Sequence, residues 1–148
     1  MVDAPEAGGI KKDRALKYDE HPEADPGYVG PGMHAVRNYY GSGQAKITFL
    51  GVDGLTEDSN KRREYMWRGL LDYIEWDFEL GRPEAEPVEA GPLGGSVECM
   101  LASLAESGNV LCGWADDGTA GVAHFPNSTI GEASELFLSM RADLEKRG

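Results

Sequence analysis

Apolar residues recur at helical spacing in two stretches of the chain. In the first, Met66, Trp67, Leu70, Leu71, Ile74 and Phe78 form one stripe, with Lys61, Arg62, Arg63, Glu64, Arg68, Asp72 and Glu75 on the other side. Thr56-Glu57-Asp58-Ser59 supplies a helix start with acids near the positive end of the dipole, and Gly81-Arg82-Pro83 supplies a stop. The run from Ile74 to Leu80 alternates strictly, which is a strand pattern. Because the stripe passes through it in phase, we expect the helix to continue to about Phe78 rather than unwind into a strand. In the second stretch Ile130, Ala133, Leu136, Phe137, Met140 and Leu144 mark the stripe. Thr129-Ile130-Gly131-Glu132 is a capping box, and Arg141, Lys146 and Arg147 sit near the negative end of the dipole.

Elsewhere the period shortens to that of strands. Ala45–Val52 is rich in β-branched and aromatic residues and ends at Asp53-Gly54. Three more strands are expected at Val97–Leu104, Asn109–Ala115 and Thr119–Phe125. Asp117-Gly118 is a two-residue hairpin signal, because a type I′ turn needs positive φ at both central positions. That turn sets Trp114 opposite Gly121, Cys112 opposite Ala123 and Val110 opposite Phe125; an indole over a glycine is a good cross-strand pair. Val110, Cys112, Trp114, Ala123 and Phe125 then share the core-facing side, with His124 opposite Leu111 on the other. The expected fold is α+β: an antiparallel sheet of about four strands, in the order β-α-β-β-β-α, covered by two helices. Trp114, Phe125 and Val110, with Leu136, Phe137 and Met140 of the last helix, are its expected core.

Residues 1–38 break this patterning. Proline, glycine and charge dominate, as in Glu20-His21-Pro22-Glu23-Ala24-Asp25-Pro26-Gly27, and too little apolar surface is present to offset the ordering entropy. We expect a flexible, acidic, extended tail, with room for a short helix over Lys11–Tyr18, ahead of a single α+β domain over 39–148. His21 and His34 lie in it without a ligand pair at fixed spacing.

Charge narrows the function classes. Among 148 residues, 26 acids against 14 bases leave a net charge of −12, which disfavours binding to nucleic acid or to an anionic membrane surface. The acids are dispersed, not laid out in the long rows a DNA mimic needs. No run approaches the roughly 20 apolar residues of a membrane span, and the first residues lack the apolar segment of a signal peptide. The segment itself therefore carries no membrane contact; an anchor removed from it would place it outside the cell membrane, and otherwise it is cytoplasmic.

The candidate chemistry is sparse. Glu75, Asp77 and Glu79 would share one solvated face of a strand, unlike a catalytic pair with one carboxyl buried. Gly91-Pro92-Leu93-Gly94-Gly95 leads into a strand and lacks the Lys-Ser/Thr of a phosphate loop, so it reads as a turn. Cys99 and Cys112, set directly opposite, leave the ordinary hairpin loop Leu104-Ala105-Glu106-Ser107 between their strands. The pair admits a disulfide, worth roughly 3 kcal/mol by loop entropy, or two buried thiols. It is neither a Cys-x-x-Cys redox motif nor, without a second ligand pair, a zinc site. No catalytic, metal-binding or cofactor-binding residue is assigned, and no cofactor is expected.

One resemblance adds to this. Gly94-Gly95, Cys99 and Cys112-Gly113-Trp114-Ala115-Asp116, followed by Thr119, Gly121 and Val122, resemble the signature of a group of uncharacterised actinobacterial proteins. These carry a membrane-spanning segment followed by an extracytoplasmic domain, and the likeness spans about Tyr39–Glu145. Asp117 stands where the group commonly has histidine, so no role passes through that position. The resemblance implies a disulfide and an oxidising compartment, and no activity.

Three readings follow. The first is a non-catalytic extracytoplasmic binding or sensor domain for an unknown protein or cell-envelope ligand, stapled by Cys99–Cys112. The alternative is an intracellular acidic inhibitor or assembly protein, one of viral origin included. The third is a small hydrolase using His124 with Asp116 or Asp117, which strand rise disfavours by separating His124 from the hairpin tip by about 15 Å.

Overall fold

The computed structural model describes residues 1–17 and 19–145. One antiparallel sheet of eight strands runs through the molecule. In chain order the elements are β1 (Glu6–Ala7), β2 (Ile10–Ala15), β3 (His34–Tyr40), β4 (Ile47–Asp53), α1 (Ser59–Tyr73), β5 (Ala85–Val88), β6 (Ser96–Ala102), β7 (Gly108–Asp116), β8 (Thr119–Ser128) and α2 (Ile130–Leu144). Strands β1 to β4 form one meander and β5 to β8 another. α1 carries the chain from the end of the first to the outer edge of the second, whose last strand returns to pair with β4. The spatial order is β1-β2-β3-β4-β8-β7-β6-β5.

The two helices take opposite faces. On one, Phe49, Cys99, Val110, Cys112, Trp114 and Phe125 pack against Phe137, Met140 and Leu144 of α2. On the other, Leu50, Val52, Met100, Leu111 and Val122 pack against Met66, Trp67, Leu70 and Leu71 of α1. The central strands are therefore buried on both sides, which is why β4 and β7 read as near-continuous apolar runs rather than clean alternation. Each face brings one indole onto one glycine. A Cβ on Gly121 would stand 2.4 Å from the Trp114 ring, and one on Gly113 would stand 2.8 Å from that of Trp67. The Trp67 indole N–H also donates to the Cys112 carbonyl at 3.2 Å.

The hairpin registers match those expected. Trp114 pairs with Gly121, Cys112 with Ala123, Val110 with Phe125 and Leu111 with His124. Cys99 pairs with Cys112, and the two form a disulfide, fully buried under α2. The capping box at Thr129 and Glu132 closes the start of α2.

The four-strand sheet is corrected to eight strands. Of the additional strands, β1, β2 and most of β3 lie in residues 1–38, expected to be a disordered or extended tail, and β5 lies in the Pro83–Pro92 loop. β2 exposes most of its charged side chains and is held by backbone pairing to β3, so it carries no apolar signal. It also replaces the short helix expected from Lys11, whose expected end, Tyr18, lies outside the described residues. β5 is an edge strand containing Pro87, a residue tolerated there because one side of an edge needs no partner. The first helix is shorter than expected. Glu75 enters the left-handed region at φ 59°, and its N–H donates to the Asp72 carbonyl while that of Trp76 donates to Leu71. This Schellman motif ends α1 at Tyr73, and Ile74–Leu80 becomes neither helix nor strand but a connection with one short 3-10 turn at Phe78–Leu80. Lys146 and Arg147, expected at the end of α2, lie outside the described residues.

Candidate functional site

A single row across four strands builds the most chemically distinctive cleft. Arg14 of β2 pairs with Tyr39 of β3, Tyr39 with Thr48 of β4, and Thr48 with His124 of β8. Tyr73, the last residue of α1, closes over this row. Thr48 Oγ1 donates to the Tyr73 hydroxyl at 3.2 Å, and that hydroxyl donates to Tyr39 at 3.4 Å. The His124 ring stands edge-on to Tyr73, with centroids 6.0 Å apart.

From the other side comes His21, edge-on to Tyr73 at 4.8 Å. It belongs to the irregular segment between β2 and β3, which buried arginines strap to the sheet. Arg37 donates to the carbonyls of Leu16, His21 and Ala24 at 2.7 to 3.0 Å, and Arg62 donates to those of Pro26 and Tyr28. Gly69 of α1 lets the segment pass: a Cβ there would lie 2.1 Å from the Glu23 carbonyl oxygen. The resulting cleft holds about 350 Å³. Besides these aromatic groups it is lined by Arg14, Lys46, Gln44 and Pro126, and Glu23 stands 3.3 Å from His21 Nδ1 at its margin.

His124 is 8% exposed. Burial lowers its pKa to about 4, so the ring is neutral at pH 7. Nε2 lies 2.8 Å from Asn109 Oδ1, which assigns the proton to Nε2 as donor. Nδ1 is then a bare acceptor, and it is the buried side-chain atom without a hydrogen-bond partner among the described residues. Burial, with the Tyr73 hydrogen bond second, raises the pKa of Tyr39 and keeps its phenol protonated. Its ring is flanked by the Lys46 ammonium at 4.4 Å and the Arg14 guanidinium at 5.0 Å. Arg14 also spans both carboxylate oxygens of Glu20, at 2.9 and 2.7 Å, while Lys46 stands 3.5 Å from Asp13.

The residues singled out from sequence fall elsewhere. Cys99, Cys112, Trp114, Phe125, Val110, Phe137 and Met140 are fully or almost fully buried in the α2-side core, with Leu136 half-buried at its margin. Asp116 faces Arg141, 3.4 Å away, and is five residues along β8 from the level of His124, roughly 17 Å at strand rise. Glu75 is the left-handed helix terminator, and Asp77 caps the 3-10 turn by accepting from the Glu79 N–H. His34 sits by Asp53 at the far end of β3, with Nδ1 3.1 Å from a carboxylate oxygen. Only His124 enters the cleft among the residues weighed for chemistry in the hairpins, and His21 joins it from the region expected to be a tail. Tyr39, Thr48, Tyr73 and Asn109 carry no spacing signal, because they meet through strand register rather than along the chain.

His124 has an amide behind it rather than a carboxylate, and its low pKa makes it a weak base. Among the described residues no group of three or more His, Cys, Asp or Glu is placed to hold a metal ion, and no helix is long and apolar enough to cross a membrane. Comparison with protein-family models, curated proteins and solved structures returned no match for this chain.

Proposed function

We propose that this is a non-catalytic extracytoplasmic binding or sensor domain that takes its ligand in the cleft beside His124. The observation that carries the binding reading is the cleft itself: about 350 Å³, with the Tyr39 hydroxyl, the Gln44 amide and the Lys46 ammonium set among the rings of His21, Tyr73 and His124. The Cys99–Cys112 disulfide supports the compartment, since such bonds persist where the surroundings are oxidising. The resemblance to actinobacterial extracytoplasmic domains supports the same compartment.

Fragment mapping tests the binding reading. Small polar fragments titrated into the intact isotope-labelled chain should cluster at the resonances of Tyr39, Gln44, Lys46, Tyr73 and His124. Hits confined to other surfaces, with these five unmoved, contradict it. Thiol titration of denatured protein from its native source tests the compartment. No free thiol before reduction and two after it are expected, whereas two free thiols before reduction would favour the intracellular acidic inhibitor suggested by the net charge of −12.

A further inference from the structure

On a surface separate from the cleft, we infer that the open edge of the sheet docks a basic, extended segment of a partner protein, taken up as an additional strand beside β5. The two edges differ. β1 is two residues long and lies under α2: the Gly8 N–H that follows it donates to Asp143, and a Cβ on Gly8 would stand 2.9 Å from the Met140 side chain. β5 ends the sheet on the other side, with no strand beyond it among the described residues. An edge in that state presents unpaired backbone donors and acceptors, to which an extended peptide can add. Pro87 lacks an N–H, so it weakens such pairing without closing the edge.

Apolar side chains gather at the same corner. Phe78, Leu80 and Leu104 are three of the six exposed large apolar residues among the described ones, and Leu104 is 85% exposed. Ala85 pairs with Met100, so the chain entering β5 from Leu80 runs beside the end of β6, from which Leu104 follows. Charges alone are a usual protection for an edge strand; exposed leucines beside them are not. Charge then selects the occupant. Residues 74–108 hold eight acids and one base, a net of −7 within the chain's −12. The base, Arg82, is taken by Glu64 of α1, and among the acids Glu98 is paired with Arg63. Glu84, Glu86 and Glu89, on and beside β5, are exposed and have no cationic partner among the described residues. A second copy would bring the same acids against them, and nucleic acid or an anionic membrane would be repelled as well. Lysine or arginine side chains, alternating with apolar ones on an added strand, meet both the acids and the leucines.

The test follows the backbone amides of the full labelled chain by NMR with three probes: a short peptide of alternating lysine and valine, its glutamate–valine counterpart, and the lysine–valine peptide with its backbone nitrogens methylated. The first should shift the amides of Ala85, Glu86, Val88 and Leu104, and raising salt to about 0.5 M should weaken it. The second should leave them unmoved. Methylation removes the N–H donors of an added strand and should weaken binding at least about tenfold. The variant carrying Glu84→Gln, Glu86→Gln and Glu89→Gln should bind the lysine–valine peptide about tenfold more weakly, with an unchanged urea midpoint. Equal binding of the methylated peptide overturns strand addition, and equal binding of the acidic peptide, or by the variant, overturns the selection by charge. Silence of these amides toward the lysine–valine peptide overturns the docking surface outright. So does their broadening with protein concentration alone, which would make a second copy the occupant. The fragment titration of the cleft reads none of these amides, so the two proposals fail separately.

Discussion

At the residue scale the structure depends on a few side chains whose neighbours leave no slack. Arg141 is 1% exposed and joins three elements. Its guanidinium donates to Glu145 at 2.8 Å and to the Gly94 carbonyl at 2.7 Å, faces Asp116 and lies 5.2 Å from the Trp114 ring. Glu145 in turn accepts from Thr119, so the end of α2, the glycine turn and the β7–β8 hairpin share one polar knot. Arg141→Met would remove the guanidinium that the Gly94 carbonyl and the Glu145 carboxylate accept from, and should cost about 1–3 kcal/mol in urea unfolding. A loss below 1 kcal/mol would show that the knot is incidental. Gly121→Ala drives a Cβ into the Trp114 indole and should cost about 1–3 kcal/mol by the same measurement. The Trp114–Gly121 pair was legible because one turn signal, Asp117-Gly118, sets every cross-strand pair of its hairpin. Arg141 was legible only as a helix-end cation. Its burial depends on Gly94 and Asp116, which no periodicity connects to it.

At the element scale, the helices and hairpins with strong periodicity appear where the pattern put them, and their ends follow local chemistry. α1 stops at Tyr73 although apolar spacing continues, because Glu75 turns left-handed and satisfies the last carbonyls. A side chain in that region costs about 1 kcal/mol, which glycine avoids. Glu75→Gly should therefore raise the unfolding midpoint, by about 0.5–1 kcal/mol in stability; a fall would mean that the Glu75 side chain contributes more than its backbone strain removes. The strands nearest the amino end were illegible for the opposite reason. β2 is a charged edge-side strand whose ordering comes from backbone pairing, and the segment after it is held by Arg37 and Arg62 bonding to carbonyls. Carbonyls have no sequence signature, so composition alone reads this region as a tail.

At the scale of the whole molecule, the sheet divides the labour between its faces. The α2 side is sealed by aromatic packing and the disulfide; the α1 side carries the strapped segment and the polar cleft. That cleft was the least legible part of the chain, since its row from Arg14 to His124 exists only after four strands align. Burying a neutral histidine there ties stability to pH. The unfolded chain takes up the His124 proton near pH 6.5 and the folded chain only near 4. This contribution is complete above about pH 6.5 and is lost as pH falls through 4, about 3 kcal/mol in all. Asp3 and Asp53, whose pKa values are lowered by ion pairs and hydrogen bonds, lose stability in the same direction. Comparing the chain with His124→Gln isolates the histidine: the variant should show a shallower fall in urea midpoint between pH 7 and pH 4.5, and an unchanged slope would place the proton uptake elsewhere. The central claim, a binding cleft walled by a buried, neutral histidine, is tested most directly by NMR titration of the labelled His124 imidazole in the intact chain. The account predicts an Nε2-protonated, neutral ring from pH 7 down to about 4.5; titration near pH 6.5 would contradict it and restore an acid–base role for His124.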